Sequence, residues 1–87
     1  MDKKVIKIID SEVDFSKNLW DTLPRSERPL KDREKPVEFW VMHIHRYLKK
    51  AEDGCEGTDK TVALENIRKI AALYVRCIEN NDTPSRI

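Results

Sequence analysis

The sequence predicts an all-α protein: an antiparallel helical hairpin behind a short N-terminal helix or arm, completed as a bundle by homodimerisation. Three observations carry this. Apolar residues recur at steps of three and four over residues 37–51 and again over 63–78, the spacing of one face of a helix. A polar connection holding Gly54 and Gly57 separates the two runs, and a connection that short makes its helices antiparallel neighbours. Of 87 residues 38% are charged, 39% hydrophobic and 7% aromatic, so any core is thin and a second copy is the simplest way to complete it.

Residues 1–35 are expected to form an arm, a short helix and a charged linker, with residues 36–87 as the hairpin domain and a short tail. The front begins with Val5, Ile6, Ile8 and Ile9, a β-branched run that fits a short strand or an arm but finds no comparable strand to pair with in this chain. Phe15, Leu19, Trp20 and Leu23 recur at helical spacing behind Ser16, which reads as an N-cap, so a short helix is expected over 16–23, ended by Pro24. From Arg25 to Lys35 nearly every residue is charged or proline, the pattern of a solvated linker.

Pro36 suits the first turn of the first long helix, since its missing N–H has no intrahelical partner there, and Glu38 places negative charge at the positive end of the helix dipole. Val37, Trp40, Val41, Ile44, Leu48 and Ala51 form its stripe, which Phe39, Met42 and Tyr47 widen beyond one neighbour's reach. Gly54 is the expected stop. Thr58 or Asp59 can cap the second long helix, which should reach about Asn80. Its buried face is expected at Ala63, Ile67, Ile70, Ala71, Tyr74, Cys77 and Ile78, with Leu64, Leu73 and Val75 on flanks open to another partner.

Composition excludes several function classes. Lys and Arg number 17 against 16 Asp and Glu, so no net field draws the chain to nucleic acid or an anionic membrane. The longest apolar stretch, residues 70–75, is far too short to cross a bilayer, and the first residues lack the apolar run of a secretion signal. A cytoplasmic protein is expected. Cys55 and Cys77 form no CxxC pair and read as reduced thiols, Cys55 exposed in the polar turn and Cys77 packed as a small hydrophobe.

Among residues that could carry chemistry, His43 and His45 sit two apart, so on a helix they point away from each other and cannot grip one ion. Glu38 and Glu65 each lack a second acid three or four residues away, and Asp53, Glu56 and Asp59 do not match a calcium loop. No metal is expected. Arg46, Lys49 and Lys50 make a basic end on the first long helix, and Lys60, Arg68, Lys69 and Arg76 decorate the second. Trp40, Phe39 and Tyr74 lie on helical apolar stripes, where filling an oligomer core is favoured over stacking a base.

The opening Glu38-Phe39-Trp40-Val41-Met42, with the alanine-containing apolar helix from Leu64 to Glu79 after it, resembles the MazG-like all-α nucleoside triphosphate pyrophosphohydrolases, especially the short forms common in phages. The similarity spans residues 36–81. In that family E-E-x-x-E on one helix and E-x-x-D on the next hold magnesium, and assembled helices cleave a nucleotide between its α- and β-phosphates. Laid on this pattern, the first acids fall on Arg46, Tyr47 and Lys50. Glu65 matches the leading acid of the second motif, and Arg68 and Lys69 stand where a further ligand belongs. Cations repel a divalent ion and offer no lone pair, so the resemblance implies a bundle assembled from several copies, a phage or prophage source, and lost catalysis.

The expected function is a small, non-catalytic, self-associating binding module, without catalytic residues or cofactor. Arg46, Lys50, Glu65, Arg68 and His43 are the candidate ligand contacts, for a nucleotide held without hydrolysis or a protein partner. Phe39, Trp40, Ile44, Ile67 and Tyr74 are the candidate homodimer interface. The alternatives are a magnesium-dependent pyrophosphohydrolase of the MazG-like class and a weak nucleic-acid-binding protein.

Overall fold

The computed structural model describes residues 1–21 and 31–86 and is all-helical, without a strand among the described residues. Among the described residues are three helices, α1 (Lys3–Asp21), α2 (Val37–Gly54) and α3 (Thr61–Asn80), with a short 3-10 turn at Asp32–Glu34 ahead of α2 and the polar connection after Gly54. α3 is the central element, packed against α2, α1 and the 3-10 turn.

The front of the chain corrects the strand-or-arm expectation. Residues 5–9 are helical and continuous with the rest of α1, which starts with the backbone N–H of Lys4 bonded to Asp2 Oδ1 at 2.7 Å. Ser16 caps nothing: it lies mid-helix, and its hydroxyl donates to the Val13 carbonyl at 2.9 Å. The physical reason is tertiary. Ile9, Glu12, Val13 and Ser16 share one side of a helix, and burying that side outweighs the modest β-preference of isoleucine and valine. The expected end at Pro24 lies outside the described residues.

The charged linker is corrected in part. Residues 25–30 lie outside the described residues, but in the rest Lys35 is buried and Asp32 half-buried, joined by an ion pair at 2.8 Å. The two long helices fall close to where their signals put them. Pro36 holds the N-cap position of α2 rather than its first turn. Asp59 Oδ1 accepts from the backbone N–H of Thr61 at 2.9 Å and from its hydroxyl at 2.6 Å, fixing the start of α3. Lys60 ties the connection together, donating to the carbonyls of Cys55 and Gly57. At the far end, Asn80 and Asn81 donate to the carbonyls of Arg76 and Cys77.

Gly54 ends α2 for a reason other than a left-handed backbone, since no described residue has positive φ. Its neighbour sets the demand: a Cβ there would stand 2.8 Å from the backbone nitrogen of Ala63. Moving along the pair, Tyr47 faces Lys69 and Trp40 faces Arg76, so contacts advance along α3 as they retreat along α2.

The buried side of α3 is rotated from the expected one. Ala63, Asn66, Ile70, Ala72 and Arg76 are buried, whereas Ile67, Tyr74 and Ile78 are about half exposed. The expectation followed hydrophobicity alone. Asn66 and Arg76 satisfy their polar groups within the fold, Asn66 by donating to the Val62 carbonyl at 2.8 Å, and so occupy places an apolar count assigns elsewhere. Cys55 is exposed and Cys77 half-buried, as their contexts suggest.

Candidate functional site

Arg76 is the polar centre of the molecule. Its side chain, 5% exposed, donates to both carboxylate oxygens of Asp32 at 2.8 and 2.7 Å and to the Ser16 hydroxyl at 3.2 Å. The guanidinium also lies 5.5 Å from the Trp40 ring centroid, and the Lys35 ammonium lies 5.1 Å from the same ring. One arginine thereby joins α1, the 3-10 turn, α2 and α3. Burial pushes the Asp32 carboxyl up, but hydrogen bonds and charge from Arg76 and Lys35 outweigh it and hold the group below its ordinary value. Trp40 is 1% exposed, and its indole N–H is, among the described residues, the one buried side-chain polar group without a hydrogen-bond partner.

The expected ligand contacts do not converge on one pocket. His43 packs on the Phe39 ring at 4.3 Å between centroids, and partial burial, helped by the charges of Arg46, Lys35 and Arg76, lowers its pKa. Arg46 reaches Met42 Sδ and borders an open apolar depression on α2 with Val37 and Val41. Glu65 is exposed on α3. Lys50 lies over the Tyr47 ring at 5.1 Å, and Lys69 approaches the same ring at 5.6 Å. Three of the positions where the resemblance would place metal-holding acids, Tyr47, Lys50 and Lys69, are therefore neighbours in space, and they carry a phenol between two ammonium groups. That donor set does not fit magnesium. Among the described residues no three His, Cys, Asp or Glu side chains cluster closely enough to hold a metal ion.

Arg68 does belong to a recess. Its Nε donates to Glu12 Oε1 at 2.8 Å across α1 and α3, and the buried Glu12 is neutralised by that bond. Around this pair lies a groove of about 700 Å³ bordered by Lys4, Lys7, Phe15 and Lys69. Glu12, Phe15 and Lys69 also border a narrower cleft of about 160 Å³, which Leu19, Leu73 and Tyr47 help close. Starting the short helix at Ser16 and reading what precedes it as a strand or arm hid Lys4, Lys7 and Glu12 and left Phe15 without its neighbours on α1. The three-and-four spacing of Ile8, Glu12, Phe15 and Leu19 was the signal that could have placed them on one helical side.

The expected interface residues divide. Trp40 fills the core of the single chain, Phe39 and Ile44 are half-buried, and Ile67 and Tyr74 stand on the surface. On α3, Leu64, Ile67, Tyr74 and Ile78 are 48–66% exposed, with the half-buried Ala71 completing a strip at steps of three and four. On α2, Val37, Val41 and Leu48 are 45–60% exposed and continue through Ile44 at the same steps. No helix of the described residues is long and apolar enough to cross a membrane. No protein-family model, curated protein or solved structure matches this chain.

Proposed function

We propose that this protein is a non-catalytic, self-associating binding module, in which α2 and α3 form an antiparallel hairpin whose open apolar face pairs with a second copy as a four-helix bundle. The observation that carries this is the pair of exposed strips. Helical geometry of about 100° per residue puts each strip roughly a quarter turn from the α2–α3 seam in the same rotational sense. For helices running in opposite directions, equal rotations bring both strips to one side. Contacts to α1 through Arg68 and Arg76 use the other side of α3.

In the proposed hairpin the two strips also match in level: carried along both helices from the Tyr47–Lys69 and Trp40–Arg76 contacts, the register pairs Val37 with Ile78, Val41 with Tyr74, Ile44 with Ala71, and Leu48 with Ile67. Such a run, repeated at seven-residue intervals and left in water, is the apolar seam of a helical bundle with one half missing. A homodimer is the simplest occupant because the same surface completes itself by two-fold symmetry. The phenol and ammonium groups at the resemblance's metal positions favour binding over hydrolysis, and a cytoplasmic setting suits the two free thiols.

Light scattering on the full chain at tens of micromolar should give twice the 10.3 kDa chain mass. Replacing Ile67 and Tyr74 together by Lys should return the mass to one chain while the circular dichroism stays helical. A single-chain mass for the unaltered protein throughout that concentration range refutes the proposal.

A further inference from the structure

We infer that the groove between α1 and α3 is a binding site for a small amphiphilic anion: one anionic group held at the basic mouth and a single ring or short alkyl body seated in the cleft behind it. The mouth is cationic beyond its internal needs. Lys4, Lys7, Arg68 and Lys69 border it against one carboxylate, Glu12, whose charge Arg68 meets at 2.8 Å. Among the described residues Lys4, Lys7 and Lys69 form no ion pair, so their charge is left to face a ligand. Ser11 adds a hydroxyl on the same border.

The apolar half comes from the second space. Phe15, 63% exposed, presents its phenyl ring on the groove's border. It stands on the border of both the open groove and the inner cleft, as Lys69 does, so the two spaces adjoin at these side chains. All three helices contribute walls: Phe15 and Leu19 from α1, Tyr47 from α2, Ala72 and Leu73 from α3. At about 160 Å³ the cleft is close in size to an apolar cavity of roughly 150 Å³ that admits one benzene ring, so a single ring is a body its walls can seat. Lys69 lies 5.6 Å from the Tyr47 ring centroid, which places its charge at the neck where an anionic group attached to a seated ring emerges.

Phenyl phosphate is a probe with both halves, while inorganic phosphate and phenol each carry one. Titrated into the full-length ¹⁵N-labelled protein, phenyl phosphate should give saturable amide shifts concentrated at Glu12, Phe15, Leu19, Lys69 and Leu73. Inorganic phosphate and phenol should each bind at least about tenfold more weakly, since each forfeits one half of the site. Lys69→Glu, on a half-exposed position, should weaken phenyl phosphate by about tenfold through reversal of one charge at the neck. Ala72→Val should weaken it by narrowing the cleft, with retained helical circular dichroism required of that buried position. Shifts that spread over the surface without saturating overturn the inference. So do equal affinity for inorganic phosphate, or a Lys69→Glu affinity within about twofold of the parent. The site lies away from the exposed strips of α2 and α3, so these outcomes hold whatever mass the protein has in solution.

Discussion

Arg76 shows how much one side chain can decide. It is buried, doubly bonded to Asp32, bonded to Ser16 and stacked near Trp40, so removing its charge strands a half-buried carboxylate with Lys35 as its remaining partner. Breaking a fully buried pair costs about 3–5 kcal/mol. With Lys35 still present, we expect Arg76→Met to cost about 2–3 kcal/mol in urea unfolding at neutral pH. Acid gives an independent reading. A carboxyl held below its ordinary value of 3.8 contributes stability that is complete above that value and is lost as pH falls below it. The parent should therefore weaken below about pH 4 more steeply than Arg76→Met, and parallel curves would place the Asp32 interaction elsewhere. None of this was legible in the sequence. Asp32 sits in a run of charges that reads as solvated, and Arg76 lies 44 positions away on a helix where arginine ordinarily points to water.

At the scale of elements, the two long helices were legible because their signals are local: Pro36 and Glu38 at one start, Asp59 at the other, Asn80 and Asn81 at the end. The front half of α1 was not, because its Val5, Ile6, Ile8 and Ile9 carry a β-preference that packing of the helix against α3 overrides, whereas residues 16–21 fall in the short helix expected from the sequence. The rotation of α3 was hidden for the same reason, since a wheel of hydrophobicity cannot know that Asn66 and Arg76 will be satisfied indoors. Gly54 gives an element-scale test whose sign is informative. Glycine to alanine inside a helix normally stabilises by about 1 kcal/mol. Here the added Cβ would meet the Ala63 backbone at 2.8 Å, and backbone cannot swing aside as a side chain can. We expect Gly54→Ala to destabilise by about 1–3 kcal/mol, read as a lower urea midpoint at unchanged slope. A gain in stability would mean that the α2–α3 crossing is looser than its geometry.

At the scale of the whole molecule, α1 packs on α3, and the strips of α2 and α3 away from it are left apolar and wet. A chain of this size buries too small a share of its surface to be indifferent to such a face. If pairing with a second copy completes the core, folding and association share one equilibrium, and stability depends on concentration. With about 2.1 cal/mol/K of unfolding entropy per residue in each of two chains, a tenfold rise in protein should lift the thermal midpoint by about 4 °C. Ile67→Lys with Tyr74→Lys should flatten that dependence, because two ammonium groups on the strip bring like charges together at the seam. Lys4→Glu, on α1, should leave the slope as it is. A midpoint constant from 1 to 100 micromolar, on the order of the range where such dimers assemble, would assign the completed core to a single chain and leave the strips of α2 and α3 as surface for another protein.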